Sequence, residues 1–236
     1  MPETFHFSAI ATISSCFKEK FGIPRQPGLV KTATAELHLD KQFSEESVRS
    51  LQGFSHLWLS FVFHKNLQQG WQPMVRPPRL GGNTRVGVFA SRSPFRPNPV
   101  GLSVVELLGI EERQSGIVLQ LGSCDLLDKT PILDIKPYLP YIDALPEAKG
   151  GFASSKPQIK MQVEFTPLAL RQCQQAEQRL GKALKKMIEE ILQLDPRPSY
   201  QQGVVSERVY AMKLCDFDLR WQYCENRLIK VLSLVT

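Results

Sequence analysis

The chain has 236 residues, 42% hydrophobic and 22% charged, with a formal net charge of +6. That balance excludes a disordered or fibrous chain and allows one large domain, or a main domain with a small appendage. The longest apolar run, around residues 57–63, is far too short to span a bilayer.

The start, Met-Pro-Glu-Thr-Phe-His, lacks the basic and apolar stretches of a signal peptide. Residues 5–165 then read as short strands broken by proline and glycine: 5–13, 35–39, 56–63, 86–90, 100–108, 117–122 and 159–165. Many short strands at this spacing predict a barrel or a sandwich. Residues 44–52 predict one short helix capped by Ser44. Residues 70–83, with Pro73, Pro77, Pro78 and the Gly81-Gly82 pair, read as a functional loop.

At Thr166-Pro167 the pattern changes, because threonine can cap a helix and proline suits its first turn. Leu170, Cys173, Leu180, Leu184, Met187, Ile188 and Ile191 recur at helical spacing, predicting one amphipathic helix to about Leu194. Asp195-Pro-Arg197-Pro stops it. Three alternating segments, 209–215, 219–224 and 228–234, predict a small antiparallel sheet packed on that helix. The expected organisation is a mainly β domain over residues 1–166 and a small α+β domain over 167–236.

Charge is unevenly spread. Residues 47–105 contain no aspartate or glutamate but carry Arg49, Lys65, Arg76, Arg79, Arg85, Arg92 and Arg96. Arginines without local acids usually find their anionic partner outside the chain, and the planar guanidinium suits phosphates and carboxylates. The segment predicts a nucleic acid, a nucleotide-like cofactor, or both.

Common catalytic fingerprints are missing. There is no G-x-G-x-x-G, no P-loop and no G-x-S-x-G elbow. Five scattered cysteines, never in C-x-x-C spacing, read as neither a disulfide framework nor a zinc site, which predicts a reduced, cytoplasmic protein. His56 and His64 have no adjacent carboxylate or thiol cluster, so no metal is expected.

What remains is specific. Arg92-Ser-Pro-Phe-Arg96-Pro-Asn98-Pro forms a proline-stiffened loop that can aim its arginines, the alternative being a solvated turn. Asp125, Asp128, Asp134, Lys136 and Tyr138, interleaved with leucine and isoleucine, read as a pocket edge, and Asp134 and Lys136 would share a strand face. Pro24-Arg25-Gln26-Pro27 is a further presenting loop. Arg197 and Tyr200 pair a cation with an aromatic ring, as phosphate contact plus base stacking requires.

Together with Gly87–Asn98 and Phe54-Ser-His56-Leu-Trp58 through His64, these segments closely resemble the TrmO (YaeB-type) tRNA N6-adenosine methyltransferases from end to end. The resemblance implies a non-Rossmann, single-sheet β-barrel that binds S-adenosylmethionine, as a homodimer with cofactor sites near the subunit interface. The implied substrate is N6-threonylcarbamoyladenosine at position 37 of threonine tRNAs. Carried over, Pro24, Arg25, Gln26, His64, Lys65, Arg92, Leu102, Asp125, Leu126, Leu127 and Asp128 form the cofactor pocket. Arg197 and Tyr200 hold the anticodon arm, with Arg76, Arg79, Arg85 and Lys136 as further tRNA contacts. Methyl transfer in line needs no metal or covalent nucleophile, only positioning and a base for the departing proton, for which Asp134 and Tyr138 are the candidates. The rival readings are a non-catalytic module that senses S-adenosylmethionine and binds RNA, and a methyltransferase acting on another small acceptor.

Overall fold

In the computed structural model the described residues are 3–159, 161–198, 201 and 208–236, so Tyr200 lies outside them. Six strands close a barrel: β1 (Ala11–Ser15), β2 (Ala35–Leu39), β3 (His56–Val62), β6 (Val100–Arg113), β7 (Gly116–Gly122) and β8 (Pro131–Pro137). Their order around it is β1-β2-β7-β6-β3-β8, and β8 pairs back onto β1. Every pairing is antiparallel. Alternation decides what fills it: Ile13, Leu37, Leu57, Leu59, Leu119, Leu121 and Ile132 point inward and are fully buried. Each such side chain contributes about 1.5–3 kcal/mol.

Strands β3 and β6 are direct neighbours although residues 63–99 separate them. The Phe63 N–H donates to Pro99 O at 2.8 Å and closes the neck of that excursion. The two-residue strands β4 (Met74–Val75) and β5 (Val86–Gly87) pair within it. The segment predicted as a strand at 86–90 is therefore that short ribbon plus a 3₁₀ turn.

A second sheet holds β10 (Val209–Leu214), β11 (Phe217–Tyr223) and β12 (Leu228–Val235), in the order β10-β11-β12-β9. Its last member, β9 (Gln162–Phe165), runs parallel to β12. Residues 162–165 thus belong to the second sheet, not to the first unit where the sequence reading put them. After β8 comes a single helical turn, α1 (Pro140–Asp143). The predicted long helix is two, α2 (Pro167–Leu180) and α3 (Leu184–Gln193). The Thr166 hydroxyl accepts from the Ala169 N–H at 3.1 Å and starts α2, whereas Gly181, at φ 62°, ends it in the left-handed region that glycine tolerates best. The helix expected at 44–52 is two 3₁₀ turns split by Ser50 at φ 66°, and Ser44 makes no capping bond.

The two cores are not consecutive in sequence. Cys16, Phe17, Val30 and Ala33, just after β1, pack into the second core with Leu184, Met187, Trp221 and Ile229. Phe21 stacks on Trp221 at 5.9 Å. Thr32 donates its N–H and hydroxyl to Glu190, at 3.0 and 2.9 Å. Cys16 and Cys215 form a disulfide across 199 residues. This corrects the reading of all five cysteines as reduced, which rested on spacing, whereas tertiary packing alone brings these two together. Cys124, Cys173 and Cys224 are free.

Arg197 also departs from expectation. It is only 3% exposed, with Nε 2.9 Å from Asp195 Oδ1, Nη2 3.0 Å from Oδ2, and its guanidinium 3.5 Å from the Tyr223 ring centre. A guanidinium committed to a buried carboxylate and a ring is a strut of the second core rather than a phosphate contact. Removing one member of a buried pair strands the other, so Arg197→Ala should lower the unfolding free energy by about 3–5 kcal/mol in a urea titration. A loss below about 1 kcal/mol would show that the pair carries little of this core.

Candidate functional site

Three loops and one wall of the barrel meet at a cleft of about 550 Å³. The excursion supplies His64 and Lys65 just past β3, and Arg92 near its return. The clamped segment after β1 supplies Pro24, Arg25 and Gln26. The turn after β7 supplies Asp125, Leu126 and Leu127, and β6 supplies Leu102. These are ten of the eleven residues named from the sequence as a cofactor pocket.

Asp128 is the exception. Its carboxylate accepts the Ser15 N–H at 2.9 Å and pairs with Lys18 at 2.9 Å, latching the β7–β8 turn onto β1. It supports the wall from behind. The sequence reading missed Lys20, Trp58, Phe61 and Gly101, which also line the cleft. Strand alternation could have exposed Trp58, since it shares the outward parity of His56.

The loops are held by local bonds. Arg96 lines the cleft and also anchors its own loop, its Nη1 donating to Val88 O at 3.1 Å and Ser91 O at 2.8 Å. Arg92 donates to Gln26 Oε1 and thereby joins the loop to the segment after β1. Lys20 Nζ reaches Lys65 O at 2.9 Å across the same gap. At Gly101 an added Cβ would sit 2.3 Å from the Phe61 ring, so only glycine lets that ring lie against the wall.

Electrostatics divide the cleft. Asp125 is its one carboxylate among the described residues, and it accepts the Ser103 hydroxyl at 2.5 Å. Burial pushes its pKa up from 3.8 to about 6, while Ser103 and the Arg92 charge pull it back. Burial also lowers the His64 pKa, helped by Lys65 and Lys20, which favours the neutral ring. His64 Nε2 is buried without a hydrogen-bond partner. A desolvated carboxyl, an orphaned ring nitrogen and the Arg92, Arg25 and Lys65 cations beside apolar walls fit a small zwitterionic molecule. No group of three or more metal-ligating side chains occurs among the described residues.

The other predicted residues lie beside the cleft. Asp134 and Lys136 sit on β8 opposite Ser60 and Trp58 of β3, and Leu102 faces Ser60 from the other side. Asp134 and Leu102 therefore share the outward face, two strand spacings or about 10 Å apart. Asp134 binds Lys136 and accepts the Ile135 N–H at 2.9 Å, and Tyr138 packs on Trp58. None of Asp134, Lys136 and Tyr138 lines the cleft. Arg76, Arg79 and Arg85 are exposed on the excursion, where Arg79 donates to Ser155 O.

Residues 12–144 match the family model of the tRNA-methyltransferase O N-terminal domain, and residues 158–236 match that of the TrmO C-terminal domain. The chain is 50% identical over 220 residues to the tRNA (adenine(37)-N6)-methyltransferase of Escherichia coli K12, covering 93% of both. It is 45% identical to a putative S-adenosylmethionine-dependent methyltransferase, RcsF, of Pseudomonas aeruginosa, covering 98% of this chain and 97% of that one. Among solved structures, TrmO from Pseudomonas aeruginosa superposes with a TM-score of 0.84 at 40% identity over 99% of both chains.

Because the fold raises the Asp125 pKa, the protonated form is favoured in the folded state. That contribution is complete below about pH 4 and is lost as pH rises through about 6. Asp125→Asn should therefore gain stability relative to the parent between pH 4 and 7, by up to about 3 kcal/mol, and stay level above that. Thermal melts of both proteins across that range check this, and a difference that does not vary with pH would contradict it.

Proposed function

The chain belongs to the tRNA-methyltransferase O family, and we propose that it methylates N6 of N6-threonylcarbamoyladenosine at position 37 of tRNA, using S-adenosylmethionine. The observation that carries this is the convergence of ten residues from four distant segments on one cleft beside an arginine-rich excursion. When bound, S-adenosylmethionine supplies an electrophilic methyl group on a positively charged sulfur.

The chain's own residues do the rest. Arg92, with Lys65 near it, would hold the carboxylate of the methionyl part, and Asp125 would accept from its amino or hydroxyl groups. His64 Nε2 offers a hydrogen bond that the protein itself leaves unfilled. Leu102, Leu126 and Phe61 keep water from the reacting end. The acceptor nitrogen must approach the methyl carbon opposite the sulfur, so catalysis rests on holding the two in line. Asp134, on the same outer face as Leu102 with β3 between them, would take the N6 proton on its carboxylate, with Tyr138 packed on Trp58 of that face. Arg76, Arg79 and Arg85 would meet the tRNA backbone, since exposed guanidinium groups without nearby acids suit phosphates.

A homodimer fits the surface of the excursion, where Leu67, Trp71 and Phe89 are large, apolar and exposed. A cytoplasmic setting follows from a tRNA substrate, and among the described residues no helix is long and apolar enough to cross a membrane.

Purified protein should transfer a labelled methyl group from S-adenosylmethionine to threonine tRNA only when that tRNA carries the threonylcarbamoyl group. Equal transfer without it would reject the substrate. In the same assay Arg92→Ala should weaken cofactor affinity tenfold or more, and Asp134→Asn should lower kcat by about a hundredfold. Replacing Arg76, Arg79 and Arg85 together by alanine should flatten the salt dependence of tRNA binding, by up to about 2.7 in log–log slope. An unchanged slope would remove these arginines from the RNA path.

A further inference from the structure

The outer face of β3 and β8 carries a feature that starts at the cofactor cleft and extends beyond it. Trp58 sits at the rim of the cleft. Its ring packs on Tyr138 at 6.2 Å and 42°, and Tyr138 packs on His56 at 6.2 Å and 59°. The three rings form a row leading away from the cleft. They are not core residues: the barrel interior is filled by Leu57, Leu59 and Phe61, which have the opposite parity on β3. Trp58 and Tyr138 are half-buried and His56 is exposed, so the row presents aromatic surface outward.

A cation lies beside this row. Lys136 is the cross-strand neighbour of Trp58, and its side chain is 71% exposed. Its partner Asp134 is also open, at 45%. An exposed pair two residues apart on one strand contributes little, so Lys136 can leave Asp134 for another anion at small cost. At the far end of the row Glu106 stands opposite His56. An arriving anionic group is therefore drawn to the Trp58 end, where Lys136 lies, and kept from the His56 end.

We propose that this face seats the acceptor nucleotide, its purine stacked on Trp58 with Tyr138 behind, and that Lys136 reads the carboxylate at the end of the N6 substituent. The proposal rests on the methyltransferase function above and deepens it. Aromatic side chains stack bases regardless of identity, so the rings would hold the purine and Lys136 would supply the selectivity. The row begins at the cleft rim, which brings the base's edge to the side where the methyl group is presented. When the substrate carboxylate takes Lys136, the Asp134 carboxylate is released. The bond from N6 to the methyl carbon then forms as the carbon–sulfur bond breaks. That bond's electron pair leaves on sulfur, and the N6 proton passes to Asp134. A substrate lacking the carboxylate would leave Asp134 tied to Lys136.

The test uses the full-length protein saturated with S-adenosylhomocysteine. Its probes are an anticodon stem-loop RNA carrying N6-threonylcarbamoyladenosine and the same RNA with that carboxylate converted to an amide. Lys136→Gln should weaken binding of the acid RNA about tenfold, leave the amide RNA unchanged, and bind S-adenosylhomocysteine like the parent. Trp58→Leu should weaken both RNAs tenfold or more, whereas Trp58→Phe, which keeps a π-face, should restore most of that loss. Should Trp58→Leu fail to fold, exposed Lys136 still decides the matter. The proposal is overturned if Lys136→Gln separates acid from amide RNA as the parent does, or if folded Trp58→Leu binds both normally. A parent protein that methylates no tRNA would bring down the function as well. A parent that methylates tRNA while these variants behave normally would bring down the acceptor seat alone.

Discussion

The site depends on the register of one strand. β3 is hydrogen-bonded on both edges, to β8 and to β6, and its side chains alternate between the barrel interior and the outer face. A slip of one residue would turn Leu57, Leu59 and Phe61 outward and drive Trp58, Ser60 and Val62 into the core. Two flanking strands and a filled interior exclude that slip. The same strand therefore fills the barrel, forms a wall of the cleft and presents the aromatic row. Its continuation, His64 and Lys65, enters the cleft because the chain leaves the barrel at the Phe63–Pro99 neck.

Around that strand the charges are sorted by burial. Asp125 stays in the cleft although burial opposes its ionised form, which makes sense where a bound group with donors or positive charge would offset the cost. Among the arginines, chemistry follows environment rather than residue type. Arg197 is spent on Asp195 and Tyr223 and Arg96 is tied to loop carbonyls, Arg92 lines the cleft with one bond to the Gln26 side chain, and Arg76 and Arg85 remain in solvent. A count of arginines predicts an anionic partner but not which guanidinium meets it.

The second sheet contributes by clamping. The segment after β1 passes between the two cores, with Phe17, Val30 and Ala33 buried and Phe21 stacked on Trp221. That grip presents Pro24, Arg25 and Gln26 to the cleft as a fixed edge. Lys20 bonds from this segment to Lys65 O on the excursion, and Arg92 bonds back from the excursion to Gln26. The smaller module thus shapes the cleft without lining it.

Local sequence determined the features whose physics is local: the parity of β3, the proline-stiffened loop, the Thr166 cap and the acid-free run of arginines. It also carried the resemblance that named ten residues which the structure brings to one cleft. It misjudged the helix after Thr166, because a stripe of apolar residues continues in phase across Gly181 and hides the break. It misplaced residues 162–165, because a short apolar strand does not state which sheet it joins. Asp128, Arg197 and the Cys16–Cys215 pair could be decided only in three dimensions. For Asp128 and the two thiols the answer depends on segments more than a hundred residues apart closing on one another, and for Arg197 on the burial of its neighbour Asp195 against Tyr223 in the second core. Hydrogen-bonded pairing and core packing settle that closure and that burial, and neither can be read from a local window of sequence.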